Sequence, residues 1–265
     1  MLGKLMKYEF KATYRIFLPF FAGILVMAGF AKIFFLVNDH FDNIVTNVFS
    51  GLITALYVFA VGAVAILPAI ISFYRFYKNL VTDEGYLSFT LPVTPMQHIM
   101  CKFLTSMVWC LTGFAVTFLS IAILLAGDDT LPMIIRSVFI NLQFIAQSGD
   151  VSLWFIVIEI ICVIINSFLS AFAVYYLCIA IGQMLFKNKL LGSFAVFGIY
   201  YVATQLLGTV ITVPLFFVAE SAAGADASEI IMHVIFTVYA LYYLALFLVG
   251  IFVTNHIFKK KLNLA

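Results

Sequence analysis

Two charged residues interrupt long apolar stretches of this chain, Lys32 and Glu159, and they are its first candidates for chemistry. A charge at the centre of a bilayer costs about 2.5–3.5 kcal/mol on an insertion scale, so each needs a reason to be there. Lys32 stands toward the outer end of its stretch, where its long side chain can snorkel outward. Glu159 stands about three turns into its stretch and has no such escape. Three solutions are open to it: pairing with Lys32, lining a polar cavity, or protonation. Asn166, Ser167, Ser170 and Gln183 follow on the same stretch, and Thr204 and Gln205 on the next. They line a common polar path or join helices by hydrogen bonds, the second being the default for such residues in lipid. Glu159 and Asn166 are the candidates for the path.

Other chemistry is absent from the sequence. There is no G-x-x-x-x-G-K-[ST], H-E-x-x-H, G-x-S-x-G or C-x-x-C. Glu159 has no second catalytic group at helical spacing, which disfavours an intramembrane enzyme. The histidines, His40, His98, His233 and His256, lie on different segments and form no ligand set, so each reads as an interface or loop residue and no metal site is expected. Cys101, Cys110, Cys162 and Cys178 fall in or beside apolar stretches and read as small packing residues.

The elements that position these residues follow from composition. Of 265 residues, 65% are hydrophobic and 10% charged, against about 45–50% and about 25% in soluble domains. The expected fold is an all-α integral membrane protein: a single transmembrane domain over residues 1–265. Six stretches reach the roughly 20 residues a helical span needs: 16–37, 48–73, 103–126, 151–180, 190–218 and 231–258. With the N-terminus in the cytoplasm, the inner side holds Lys4, Lys7, Lys11, Arg15, Arg75, Lys78, Lys102, Lys187, Lys189, Lys259, Lys260 and Lys261; only Lys32 and Arg136 remain outside. Both termini are therefore expected inside. The net charge of +2 points to no nucleic acid.

Residues 2–15 read as an amphipathic interface helix. Leu2, Leu5, Met6, Phe10 and Thr13 or Tyr14 lie on one face, and the first four cations on another, leading into the first span at Pro19. An ordinary positive-inside anchor accounts for the same pattern. Residues 130–148 read as a second surface helix, outside the membrane, with Asp128, Asp129 and Thr130 at its start and Pro132 in its first turn. Gly208 and Pro214 either split the fifth span into a full span and a short re-entrant piece or leave one kinked helix.

The most polar break, residues 74–102, lies between the second and third spans. It opens on the aromatic and basic boundary Phe73–Lys78, passes Thr82-Asp83-Glu84-Gly85 as a cap and turn, extends through Leu91-Pro92-Val93, and restarts a helix at Thr94-Pro95. It is too short and too polar to bury a core alone. The run from Asp83 to Pro95, followed by His98-Ile99 and Lys102-Phe103-Leu104, resembles the type-2 ABC transporter permease family. The basic N-terminal helix and six spans agree with it, while an amphipathic helix between the third and fourth spans, rather than the fifth and sixth, departs from it. The resemblance implies an exporter subunit in the plasma membrane that binds no cofactor itself. ATP and Mg would be held by a separate ABC ATPase subunit, and a second permease subunit, identical or paralogous, would complete the path among membrane lipids. It implies that Asp83, Glu84, Gly85, Tyr86 and Leu87 form a coupling loop docking on the ATPase. The cargo class it leaves open includes amphipathic peptides and lipids. A membrane sensor or immunity protein independent of any ATPase is the alternative.

Overall fold

The computed structural model describes residues 2–38, 43–82, 84–85, 88, 90, 92–127, 129–148, 151–221 and 225–260. Among them are seven long helices: α1 (Leu2–Asn38), α2 (Ile44–Val81), α3 (Pro95–Leu125), α4 (Thr130–Ser148), α5 (Val151–Leu185), α6 (Lys189–Ser221) and α7 (Ala225–Lys260). All but α4 are long and apolar enough to cross a membrane. Large side chains such as Val26, Phe30, Phe59, Phe118, Ile199 and Val210 stand exposed on them, a surface that lipid covers and water would not tolerate. The chain is a multi-pass, all-α membrane protein.

Several boundaries move. The lead-in and first span form one helix that runs through Pro19. α2 ends at Val81 rather than near residue 73, because nothing in the Phe-Tyr-Arg-Phe-Tyr-Lys run breaks a helix. The connector to α3 thereby shrinks to residues 82–94. α6 is continuous past Gly208 and Pro214, so the split into a span and a re-entrant piece does not occur. α4 keeps its expected bounds, and its apolar residues Met133, Ile134, Val138, Phe139 and Phe144 are exposed, as a helix lying on a bilayer requires.

The described chain divides into two compact units. The first comprises Met1–Arg75 and Met100–Phe144. Its core is a stripe on α1, Phe17, Phe21, Ile24 and Ala28, packed with Tyr57 and Val64 of α2 and flanked by Trp109 and Val116 of α3. Pro68 cannot donate to the carbonyl four residues back, that of Val64. A Cβ on Gly113 would lie 3.4 Å from that carbonyl and 3.3 Å from the Pro68 ring, so a glycine lets α3 cover the gap in the ladder. Tyr57 reaches Ser120 at 3.0 Å.

The second unit comprises Phe76–Ile99 and Ile145–Ala265. α5 and α7 are parallel: Glu159 meets His233, Asn166 meets Ala240, and Ala173 meets Gly250. The contacts ascend together along both helices, the sense of a parallel pair. A Cβ on Gly250 would come within 2.9 Å of Ala173, the close approach that small residues permit in membranes. α5 turns into α6 as tightly: a Cβ on Gly182 would sit 2.4 Å from the Ser193 nitrogen. The turn ends on Asn188, whose side chain accepts from Leu191 N at 3.4 Å.

Candidate functional site

The anchors of the connector begin on α1. Glu9 takes one cation on each carboxylate oxygen: Arg75 Nε at 2.9 Å on Oε1 and Lys102 Nζ at 2.7 Å on Oε2. Arg75 and Lys102 mark the two ends of the break read from the sequence, so a single acid fastens both roots of the loop. The Lys102 side chain is 9% exposed and that of Glu9 13%, which makes their ion pair a buried one. One turn along α1, Thr13 donates to the Glu9 carbonyl at 2.8 Å and accepts from Trp109 Nε1 at 2.8 Å. Phe10, Phe17 and Phe21 surround the same indole, with ring centroids 5.9, 4.7 and 6.1 Å away. Glu9, Thr13, Phe17 and Phe21 recur at four-residue steps, so one face of α1 fits α3 first by charge, then by hydrogen bond, then by aromatic packing. Thr13 is buried, whereas Tyr14 is exposed and leaves that face.

The sequence reading did not single out Glu9. Its signal was available: Glu9 is the lone acid in residues 1–38, set among Lys4, Lys7, Lys11 and Arg15. An isolated acid in a basic segment is a candidate tie to basic residues elsewhere.

The connector itself belongs to the second unit. Phe76, fully buried, stacks on Tyr176 of α5 with centroids 3.9 Å apart and packs near Phe258 of α7 at 5.9 Å. The last carbonyls of α2 lack helical donors, and three side chains supply them. Thr82 donates to Lys78 O, Ser88 to Asn79 O at 3.0 Å, and Lys189 Nζ to Val81 O at 3.3 Å. Thr82 thus closes α2 with its hydroxyl; the turn after it is made by its carbonyl, which accepts from Gly85 N at 2.7 Å. At the other end Thr94 behaves as expected. Its hydroxyl accepts from Gln97 N at 3.4 Å while its own N–H donates to Gln97 Oε1 at 3.2 Å, a reciprocal capping box ahead of Pro95.

Of the five residues expected to dock, Glu84 and Gly85 are helical neighbours. Glu84 is exposed and pairs with Lys78 at 3.0 Å, and Gly85 is buried. Asp83, Tyr86 and Leu87 lie outside the described residues. The Lys78–Glu84 pair is half exposed on both sides and adds little to stability, which leaves Glu84 free to exchange partners.

The polar residues of the spans sort differently. Glu159 has His233 Nδ1 at 2.8 Å on one oxygen and accepts from Thr237 Oγ1 at 3.2 Å on the other. Pairing with Lys32 is one of three solutions open to Glu159 from the sequence; the partners in the structure are His233 and Thr237. His233 is therefore a partner across two helices, and His98 is a buried residue of α3 rather than a loop or interface one. Asn166 donates to Ala240 O at 3.4 Å and joins α5 to α7. Ser167, Ser170 and Thr204 bond back into their own helices, which corrects the expectation that they join neighbours. Gln183 is buried with neither amide atom partnered among the described residues. All four cysteines are free; Cys101, Cys110 and Cys178 are buried and Cys162 is exposed. Among the described residues no group of His, Cys, Asp and Glu could hold a metal ion.

Comparison of the chain with protein-family models, with curated proteins and with solved structures finds no match.

Proposed function

We propose that the chain is the permease subunit of an ATP-driven ABC exporter in the cell membrane, with both termini in the cytoplasm and residues 82–94 as the element that meets a separate ATPase. The observation that supports this most is the Glu9 clamp on Arg75 and Lys102. A loop that converts a push into helix movement needs stiff roots, and here both roots are tied to one acid while the last turn of α2 is capped by three side chains. The exposed Glu84 between those roots is a contact point for a partner. The chain is read as no enzyme itself: ATP and Mg belong to the ATPase, and a second permease copy or paralogue completes a path for an amphipathic peptide or lipid. Glu159, about one fifth exposed, borders that path, while Asn166 serves the α5–α7 contact.

The test is a mild-detergent pull-down of the wild type and of Glu84→Arg, with co-purifying proteins identified by mass. An ATPase retained by the wild type and lost from the variant supports the permease. Wild type that purifies alone under conditions known to preserve membrane complexes would move the reading to a sensor or immunity protein.

A further inference from the structure

Near the middle of α6 and α7 lies a cavity of about 260 Å³. Tyr200, Thr204 and Gln205 of α6 and Tyr239, Tyr242 and Tyr243 of α7 line it. The three tyrosines of α7 stand at i, i+3 and i+4 and share one helical face. Tyr242 and Tyr243 are tilted by 59° with centroids 5.4 Å apart, and Tyr239 lies 6.2 Å from Tyr243, so the rings form more than one wall. Gly208 also lines the cavity; a Cβ there would make an ordinary contact, 3.6 Å, with the Tyr239 hydroxyl.

The charge pattern narrows the ligand. No Asp, Glu, Lys or Arg lines the cavity, and no Lys or Arg occurs between Lys189 and Lys259. An anion would find no countercharge, whereas a cation would meet ring faces that carry negative potential and no repulsion. A small hydrated metal ion demands oxygen ligands in number; an ammonium shielded by alkyl groups gives up less hydration and suits aromatic walls. Tyr239 commits its hydroxyl to Thr212 at 2.6 Å. Tyr242 buries its hydroxyl without a partner among the described residues, a cost that phenylalanine would avoid.

We propose that this cavity binds an organic ammonium cation through the faces of its four tyrosines. As the cargo class of the permease it rests on the reading above; binding to the isolated chain does not, so loss of one leaves the other standing.

The experiment uses the full chain in maltoside micelles. It follows choline and its neutral carbon isostere 3,3-dimethylbutan-1-ol by saturation-transfer NMR, with empty micelles as blank. Choline is expected to bind saturably and the isostere roughly ten-fold more weakly, the discrimination a desolvated cation–π contact gives. Tyr243→Leu is expected to weaken choline by about ten-fold while Tyr243→Phe, which keeps the ring, stays within about three-fold. Gly208→Leu, which places a side chain into the cavity, is expected to abolish binding, and the wild-type-like folding of Tyr243→Phe serves as the control for Tyr243→Leu. Equal binding of the two probes, a Tyr243→Leu variant that binds like wild type, or no saturable binding to the wild type each overturns the proposal.

Discussion

Glu9 and Glu159 are both carboxylates set into long helices, and their company differs. Glu9 holds Arg75 and Lys102, two cations from two other helices, in the first unit. Glu159 holds His233 and Thr237, both from one parallel helix, in the second. Arginine stays charged under all conditions a protein meets, so the Glu9 contact is an ion pair wherever the Glu9 carboxylate is ionised. Glu159 has an imidazole nitrogen and a hydroxyl as its partners, hydrogen-bonding groups in place of two fixed cations. The first arrangement fastens three helices through ion pairs; the second joins two helices through hydrogen bonds.

The comparison breaks most visibly at Glu9. Glu9→Leu removes the acid that Arg75 and Lys102 share, and removing one partner of a buried ion pair typically costs about 3–5 kcal/mol. About 3 kcal/mol is the expected loss here, because Arg75 remains one fifth exposed and water screens it. Unfolding of the purified protein in detergent measures it. Adding Lys102→Met to Glu9→Leu should recover part of the loss, since one stranded cation is gone; a double variant worse than the single by the full sum would show that the two residues do not interact.

How far the sequence foretold these two sites follows from the distances along the chain. The spans, α4 and the Thr94–Pro95 start were legible because apolar length and cap chemistry are local signals. The end of α2 was misplaced because an aromatic and basic run marks a membrane boundary without stopping a helix. Both acid contacts were missed because they are non-local: Glu9 meets residues on α2 and α3, and Glu159 meets a residue two helices on. The parallel register of α5 and α7 carries Glu159 to His233, and no period within either helix announces it.

A smaller effect is expected at Glu159. In Glu159→Gln the amide oxygen takes one carboxylate position and accepts from Thr237, while the amide NH2 takes the other and donates to a bare His233 Nδ1, so the α5–α7 contact survives with a loss of about 1 kcal/mol, the scale of hydrogen bonds between membrane helices. Export measured in vesicles against unfolding in detergent separates the roles. Transport that falls while stability holds places Glu159 on the path; transport and expression both unchanged reduce it to a helix contact.

The smallest effect belongs to Asn166, one heptad along α5 from Glu159. Its bond to Ala240 O is long, 3.4 Å, and only partly buried. The neighbouring step, Ala173 against Gly250, is already closed by backbone proximity. Asn166→Leu therefore removes one weak bond from an interface held by packing on its far side, and intramembrane bonds of this kind average about 0.6 kcal/mol. Leucine also restores apolar surface where the amide was partly exposed, which offsets some of that. A midpoint of detergent unfolding within about 1 kcal/mol of wild type is the expected result. A loss as large as that of Glu9→Leu would mean that α5 and α7 depend on their polar contacts as much as α1 depends on Glu9, and the contrast between an ion-paired contact and one held by packing would fall.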